Sequence, residues 1–464
     1  MYAFVALFLA ALLYLFFFRT HRAKNFPPGP RPVPILGNLL QLNLENPITD
    51  LKRLTKQYGN VYSLFIGPRP MVIINGLQAL REALVTKAAD FSGRSQELMI
   101  NHVVQVKVIL ADYNHIWREQ RRFGLMTLRN FGLGKHSMEQ RILVEVHHLI
   151  KHLEQSAGKT LNPQLLFHSA ASNVVCQVLF AKHFDYDDEF MKSLVVAFHD
   201  TGKLINGFWG LMAREKHAEM LAEDRKTRVP GKPRHFMDCY LDELEKRGDD
   251  GSSFSEDQLC AFVLDLHAAG TDTTANTLLF AFLYLMNYPQ IQESCRQEID
   301  KVLDGKDNAS FEDRHQMPYV QAVIHEIQRV ANIVPLSVFH CTTKDTELRG
   351  YSIPRGTVII PNLSSVMFEE GQWKFPHEFN PENFLNENGE FVRPEAFIPF
   401  SAGPRTCLGE GLARMELFLF VVSLLRKFEF IWPEDAGEPD YIPLFGITQT
   451  PKPYSMKIQL RGIA

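Results

Sequence analysis

Apolar residues fill the start of the chain without interruption. Residues 1–18 contain no charged side chain, and Arg19, Arg22 and Lys24 follow directly. A helix of this length covers roughly 27 Å, close to the thickness of the hydrocarbon core of a bilayer. No basic residue precedes the run, and bulky phenylalanines at 16–18 replace the small residues of a cleavage site. The pattern predicts an uncleaved transmembrane anchor at 1–18 with the rest of the chain in the cytosol; the alternative is a buried hydrophobic helix.

A basic and proline-rich hinge, residues 19–34, joins this anchor to the body of the protein. Five prolines lie between positions 27 and 34. Each proline fixes its own φ and favours an extended conformation at the residue before it, so the segment is a semi-rigid linker. No sharp change of composition divides the remaining sequence, which predicts a single body over residues 35–464.

Helical periodicity dominates that body. The predicted helices are 47–58, 76–86, 115–130, 138–155, 162–181, 187–205, 212–226, 234–246, 255–287, 289–303, 318–331 and 410–427. Strands are predicted at Val61–Ile66 and Met71–Ile74, as a hairpin, and as a second pair within 346–361. The predicted fold class is therefore mainly α with a small segregated β-sheet region.

The composition narrows the functional classes. Hydrophobic residues make up 45% and charged residues 22% of 464, which excludes disorder and coiled coil as the main architecture. A net charge of −4 argues against nucleic acid as a partner. The six cysteines form no CxxC pair, so they lack the usual spacing of zinc and iron–sulfur sites and are too sparse for a disulfide scaffold. They are expected to act as individual thiols in a reducing compartment.

One cysteine lies in a setting suited to chemistry. Cys407 follows a glycine-rich turn and stands directly before the predicted helix 410–427. Backbone N–H groups at a helix N-terminus are expected to lower the pKa of such a thiol, and Arg405 offers a cation for a nearby anionic group. Gly403 and Gly409 let the backbone approach a flat partner closely. The alternative is a structural buried cysteine.

The segment Phe400-Ser-Ala-Gly-Pro-Arg-Thr-Cys-Leu-Gly409 resembles the haem-binding loop of the cytochrome P-450 superfamily. The resemblance implies the P-450 fold and haem b (iron protoporphyrin IX), with Cys407 as the proximal ligand of the iron. The other motifs of the family precede this loop in the family's order, so the resemblance covers nearly the whole chain. The sequence most resembles the vertebrate microsomal members of family two.

A second motif lies in the middle of the apolar helix 255–287, at Ala269-Gly270-Thr271-Asp272-Thr273-Thr274. Glycine and threonine are poor helix formers, and a threonine hydroxyl can bond the carbonyl four residues back, so a local widening with an acid beside an alcohol is expected. The resemblance makes Thr273 the alcohol of the oxygen-activating groove and Asp272 the acid of its proton relay. The alternative is a polar kink in a core helix. His267 is expected to point away as a packing histidine.

Glu326 and Arg329 stand at i and i+3, where helical side chains can pair. In the family this pair belongs to a buried structural network whose third member is an arginine. Here Asn383 occupies that place, and this departure leaves the third contact open.

Haem propionates require cations and hydrogen-bond donors. By resemblance the residues that would contact them are Arg121 and Trp117 of the Trp-x-x-x-Arg helix, Arg94, His340 and Arg405. Outside the family context each of the first four would be an ordinary surface residue.

The implied reaction is monooxygenation: one oxygen atom of O₂ enters an apolar small-molecule substrate of the fatty acid, arachidonic acid, steroid or xenobiotic class. The chain has no dinucleotide or flavin motif, so electrons are expected from NADPH through NADPH-cytochrome reductase, with cytochrome b5 as a further candidate partner. A basic helix with Arg118, Arg121, Arg122 and Arg129 could bind an acidic reductase, or be a solvated face. The expected location is the endoplasmic reticulum membrane, with a single N-terminal span and a cytosolic catalytic domain.

By resemblance, substrate contacts lie in four places: residues 95–110, helix positions near Leu264, Asp265, Ala268 and Ala269, the stretch Ile333–Val338, and Phe445–Thr448. These segments are largely apolar. Asp265 among them is either a polar handle for the substrate or an ordinary capping or solvated residue.

The chain is short for this family near residue 210. Lys203–Gly210 leads almost directly to the next helix, where family members have a longer connection over the pocket. The second hypothesis is therefore a haem-binding protein in which oxygen activation is uncoupled or absent because the lid segment is missing.

Overall fold

The computed structural model describes residues 4–5, 8–10, 22, 24–43, 45–95, 108–130, 136–189, 191–193, 208–248, 251 and 253–462. The predicted anchor at 1–18 lies largely outside these residues, as does most of the predicted helix 187–205. Within the described part of the chain, no helix has the length and apolar character needed to cross a membrane.

The described residues form twelve α-helices and nine strands, with a few short 3-10 and π turns between them. The helices are α1 (Ile48–Tyr58), α2 (Leu77–Arg81), α3 (His115–Asn130), α4 (His136–Gln155), α5 (Gln164–Phe180), α6 (Phe208–Thr227), α7 (Phe236–Arg247), α8 (Glu256–Asn287), α9 (Pro289–Val302), α10 (Pro318–Ala331), α11 (Ser364–Met367) and α12 (Glu410–Lys427). The strands are β1 (Val61–Ile66), β2 (Arg69–Ile74), β3 (Thr160–Leu161), β4 (His340–Cys341), β5 (Thr346–Leu348), β6 (Tyr351–Ile353), β7 (Val358–Pro361), β8 (Phe428–Ile431) and β9 (Met456–Leu460). The predicted class, mainly helical with small sheets, is confirmed.

The chain divides into two compact units, and the first contains Met1–Gln96, Val334–Gln372 and Phe400–Thr406. Its main sheet has the order β1-β2-β7-β4. The hairpin of β1 and β2 is confirmed, with Ile66 opposite Arg69. The second pair predicted within 346–361 is three strands: β5 and β6 form a hairpin, and β7 runs parallel to β2. The sequence pattern missed this because only the sheet defines the partner of so short a strand.

The second unit contains Glu97–Ile333, Trp373–Pro399 and Cys407–Ala464. Its longest element, α8, begins after Ser255, whose hydroxyl accepts a hydrogen bond from the N–H of Gln258 at 3.1 Å, while Glu256 and Asp257 lie in the first turn. Such an N-cap satisfies a free backbone donor, and the acids complement the helix dipole. α8 packs along α5, which is buried over almost its whole length. A small sheet of order β3-β9-β8, not predicted, completes this unit.

Candidate functional site

Cys407 is the exposed member of six free cysteines. Along the chain it follows the 3-10 turn Gly403–Arg405, and it precedes α12, for which Gly409 is the N-cap. The other five cysteines are buried or half-buried, as expected of packing residues. The most exposed of the six cysteines therefore stands at the start of a long helix.

The protein groups around Cys407 do not by themselves favour a thiolate. Burial of the thiol group raises the pKa of Cys407, although the residue as a whole is exposed. The backbone N–H groups of Gly409 and Glu410 and the Arg121 guanidinium lower this pKa, but only in part, and the Glu410 carboxylate opposes them. The prediction that the loop alone lowers the pKa is wrong, because desolvation outweighs the donors. A bound metal cation would supply the missing charge, since coordination deprotonates a thiol.

Trp117 and Arg121 lie one turn apart on α3 and interact. The guanidinium of Arg121 stands over the Trp117 ring at 5.5 Å, and the indole N–H of Trp117 donates to the carbonyl of Val108 at 3.0 Å. Trp117 is buried, and burial lowers the pKa of Arg121 while the nearby Cys407 raises it. The second unit thus brings together Trp117, Arg121 and Cys407.

The first unit collects the three other predicted propionate contacts. Arg94, His340 and Arg405 are all buried. Each donates to a main-chain carbonyl: Arg94 Nη1 to Phe339 at 2.8 Å, His340 Nδ1 to Phe91 at 2.6 Å and Arg405 Nε to Ser92 at 2.9 Å. Burial holds the pKa of His340 well below its usual value, and the charges of Arg94 and Arg405 lower it further. Two buried guanidinium groups therefore face one neutral imidazole.

The sheet explains this juxtaposition. Gly93 pairs with Cys341 beside His340, and a Cβ on Gly93 would lie 2.7 Å from the Cys341 carbonyl oxygen. Only glycine permits this approach, which sets Arg94 next to β4.

The residues of this cluster fit an anionic group. The buried Nε2 of His340 has no hydrogen-bond partner among the described residues. A buried polar atom of this kind normally has a partner, and two buried cations beside it favour an anion. Carboxylates such as haem propionates meet both requirements.

Thr273 and Asp272 turn toward different partners. The Thr273 hydroxyl donates to the Ala269 carbonyl at 2.7 Å, as predicted. Asp272 is buried; one carboxylate oxygen lies 3.3 Å from Nε2 of His168, and the other accepts a hydrogen bond from the Thr448 hydroxyl. The acid and the alcohol adjoin along the helix, but the described contacts of the acid lead to α5 and to Thr448. Sequence reasoning missed His168, whose signal was the one strongly titratable side chain in the mainly apolar pattern of α5.

His267 is a packing histidine, as expected. It is fully buried, with Nε2 at 2.9 Å from the Ser172 hydroxyl and Nδ1 at 3.1 Å from Nε2 of His217. Its partners belong to α5 and α6.

Asn383 completes the network that the sequence left open. Arg329 binds Glu326 through two hydrogen bonds of 2.7 Å, and both side chains are fully buried. The Asn383 amide donates to the same carboxylate at 3.1 Å and accepts from the Phe375 N–H at 2.8 Å. A neutral amide therefore supplies the third contact of this buried network.

Asp265 is an anchor for backbone rather than a solvated residue. Its carboxylate accepts hydrogen bonds from the N–H groups of Val108 and Ile109 at 2.9 and 3.0 Å. Burial raises its pKa to about 7. The acid thus attaches the segment before α3 to α8.

Comparison with known proteins gives one consistent result. The family model described as Cytochrome P-450 matches residues 27–458. Cytochrome P-450 2D15 of the dog (Canis lupus familiaris) is 41% identical, with 98% of this chain and 97% of the relative aligned. Cytochrome P-450 2B4 of the rabbit (Oryctolagus cuniculus) is 39% identical over 98% of both chains. Cytochrome P-450 2F2 of the mouse (Mus musculus) is 38% identical over 94% of both.

These alignments also bear on length. The match to the dog relative spans 486 positions, more than the 464 residues of this chain. That relative therefore carries residues inside the matched region that this chain lacks.

Proposed function

Because the chain belongs to the cytochrome P-450 family of haem monooxygenases, we propose that it is a microsomal haem-thiolate enzyme that inserts one oxygen atom of O₂ into an apolar substrate. The observation that carries the proposal is the exposed Cys407 residue at the start of α12, with Arg121 beside it. The haem supplies thiolate-assisted O–O cleavage when it is bound. The chain itself must hold the cofactor, guide protons and exclude water.

The cofactor-holding residues have distinct tasks. Cys407 would bind the iron, and Arg94, Arg405 and His340 would bind the propionates, for which the buried free Nε2 of His340 is the supporting observation. Arg121 would bind a haem propionate and would also stabilise the Cys407 thiolate, since its charge lowers the pKa of Cys407. Trp117 fixes Arg121 by stacking beneath it.

In this proposal, Thr273 and Asp272 deliver the protons that oxygen activation requires. The Thr273 hydroxyl is half-buried, and its own proton is directed to the Ala269 carbonyl, so its oxygen can accept a further hydrogen bond. Asp272 supplies a carboxylate one residue away.

The substrate class follows from apolar positions in the second unit. Leu264 is buried on α8, and Ile447 is exposed in the segment Phe445–Thr448. Apolar linings recognise apolar ligands, which supports fatty acids, arachidonic acid, steroids or xenobiotics as substrates.

Electrons would come from NADPH through a flavoprotein reductase, with cytochrome b5 as a second donor. Arg118, Arg122 and Arg129 are exposed on α3 and lie on one side of it. Three exposed guanidinium groups on one helix face suit an acidic partner. The apolar run at 1–18 and its basic flank support an anchor in the endoplasmic reticulum membrane.

The ligand assignment is tested with carbon monoxide. The reduced full-length protein with haem should show a strongly red-shifted Soret band, and Cys407→Ser should lose it. Cys239→Ser, a half-buried thiol elsewhere in the second unit, is the matched control and should keep the band. Retention of the band in Cys407→Ser would refute the assignment.

The alignment length favours one second candidate. A chain that lacks residues present in its relatives could bind haem yet release reduced oxygen without forming product. The two candidates differ in the ratio of product formed to NADPH consumed.

A further inference from the structure

The carboxyl group of Asp272 is held from two sides. His168 on α5 approaches one oxygen at 3.3 Å, and Thr448, in the segment before β9, donates its hydroxyl to the other. His168 is fully buried and Asp272 nearly so. The acid of the proposed proton relay is thus bound to two other parts of the second unit.

The hydrogen-bond partners of His168 and Asp272 indicate where the protons between them lie. Nδ1 of His168 stands 2.8 Å from the Gln164 carbonyl, which can only accept, so Nδ1 carries a proton. Oδ2 of Asp272 accepts from Thr448, and a hydrogen bond of this kind favours the ionised carboxylate. The contact between Oδ1 and Nε2 needs one further proton. When the Asp272 carboxyl group is ionised, as its contact with Thr448 favours, that proton lies on Nε2 and His168 is an imidazolium.

The surroundings make an accidental pair implausible on energetic grounds. α5 and α8 bury most of their side chains, and an isolated charge between them would be strongly unfavourable. The pair is supported by the Gln164 carbonyl and the Thr448 hydroxyl, which complete its hydrogen bonds. A buried ion pair needs such additional partners.

The pair also orients the helix residue beside it. Thr273 follows Asp272 and lies about 100° further round α8, with its hydroxyl on the Ala269 carbonyl. Thr448 belongs to the segment for which we propose substrate contact. His168 and Thr448 thus connect that segment and α5 to the acid next to Thr273.

We propose that His168 is a positioning residue, which as an imidazolium fixes and neutralises the Asp272 carboxylate. This inference rests on the proposed function, because the acid matters through proton delivery at Thr273. His168 itself contacts neither substrate nor cofactor in this assignment.

The direct test is spectroscopic. The full-length protein with haem, reduced and bound to carbon monoxide, is labelled with ¹⁵N-histidine, and the His168 signals are assigned by their loss in His168→Leu. The wild type should show protons on both ring nitrogens of His168, whereas Asp272→Asn should show a neutral ring with the proton on Nδ1. A neutral ring in the wild type, or a signal that Asp272→Asn does not change, overturns the proposal.

The functional test measures peroxide released per NADPH consumed, with reductase and lauric acid as the probe. His168→Leu should raise this ratio roughly tenfold, since a displaced acid no longer serves proton transfer. His168→Asn retains an amide donor and should recover part of the loss. Ser172→Ala, on the same helix but bonded to His267, is the control and should match the wild type. Equal ratios in His168→Leu and the wild type would contradict the inference.

The two proposals fail in different ways. A wild-type protein without the red-shifted Soret band and without NADPH consumption would refute the proposed function. A wild type that shows both, with an unchanged ratio in His168→Leu, would refute only the role of His168.

Discussion

Single residues set the geometry of the Cys407 loop through backbone space. Gly403 has a φ of +75°, and a Cβ placed on it would lie 1.8 Å from the carbonyl oxygen of Leu84. A side chain here meets both an unfavourable backbone conformation and a main-chain atom that cannot rotate away. Gly389 has the same φ of +75° with nothing within 4 Å. A comparison of the two positions therefore separates the cost of the backbone conformation from the cost of steric overlap.

We expect Gly403→Ala to be far more harmful than Gly389→Ala. The strain of a positive φ costs about 1–2 kcal/mol in either variant. The overlap with Leu84 should bring the loss in Gly403→Ala to about 4 kcal/mol or more. Denaturant unfolding followed by circular dichroism measures both. Similar losses in the two variants would show that the loop shifts to accept the side chain.

Individual helices combine structural and chemical tasks. α8 carries four polar residues with different sets of partners. Asp265 binds the segment before α3, and His267 binds α5 and α6. Asp272 binds α5 and Thr448, and Thr273 binds the backbone of α8 itself. One apolar helix can do this because consecutive side chains project about 100° apart. Its polar residues are therefore tethers to several elements.

Asp265 should give the stability of the protein a measurable pH dependence. Its folded pKa of about 7 lies above its ordinary value of 3.8, so the folded state binds this proton more tightly. The stabilising contribution is full below pH 4 and is lost as the pH rises through 7. Relative to Asp265→Asn, which does not titrate, the wild type should lose up to about 4 kcal/mol between these limits.

Denaturant unfolding of both proteins from pH 4 to pH 8 measures this difference. Parallel pH profiles would show that Asp265 titrates normally in the folded chain.

On the scale of the whole molecule, the residues predicted to hold the cofactor come from distant parts of the sequence. Arg94, His340 and Arg405 belong to one compact unit, whereas Arg121 and Cys407 belong to the other. Within each unit the members come from separate strands, helices and turns. The proposed function also depends on the exclusion of water, and the prediction that the chain is short near residue 210 bears on this.

We expect the short connection to cost coupling rather than haem binding. A variant in which Lys203–Gly210 is replaced by the longer connecting segment of the dog relative should form several times more product per NADPH, because a fuller lid excludes water. Its reduced carbon monoxide spectrum should match that of the natural chain. The assay uses reductase and a panel of fatty acids and drug-like molecules. An unchanged ratio would show that the shortened chain is already coupled.

The sequence by itself determined the long helices and the family motifs. α3 and α12 have the predicted bounds, and α8 and α10 differ from prediction by at most one residue, because amphipathic or apolar periodicity over many turns is a local property. The tight loop before Cys407 and the hydroxyl contact of Thr273 also follow from local chemistry. The cofactor roles of Cys407, Arg94, Arg121, Arg405 and His340 remain predictions from resemblance.

Only the tertiary structure decided which polar groups meet. The pairing of β7 with β2, the contact of His168 and Thr448 with Asp272, and the place of Asn383 beside Glu326 each join residues far apart in the chain. The raised pKa of Cys407 likewise depends on how many atoms surround the sulfur. Desolvation and hydrogen-bond partners are properties of packing, and no local pattern in the sequence encodes them.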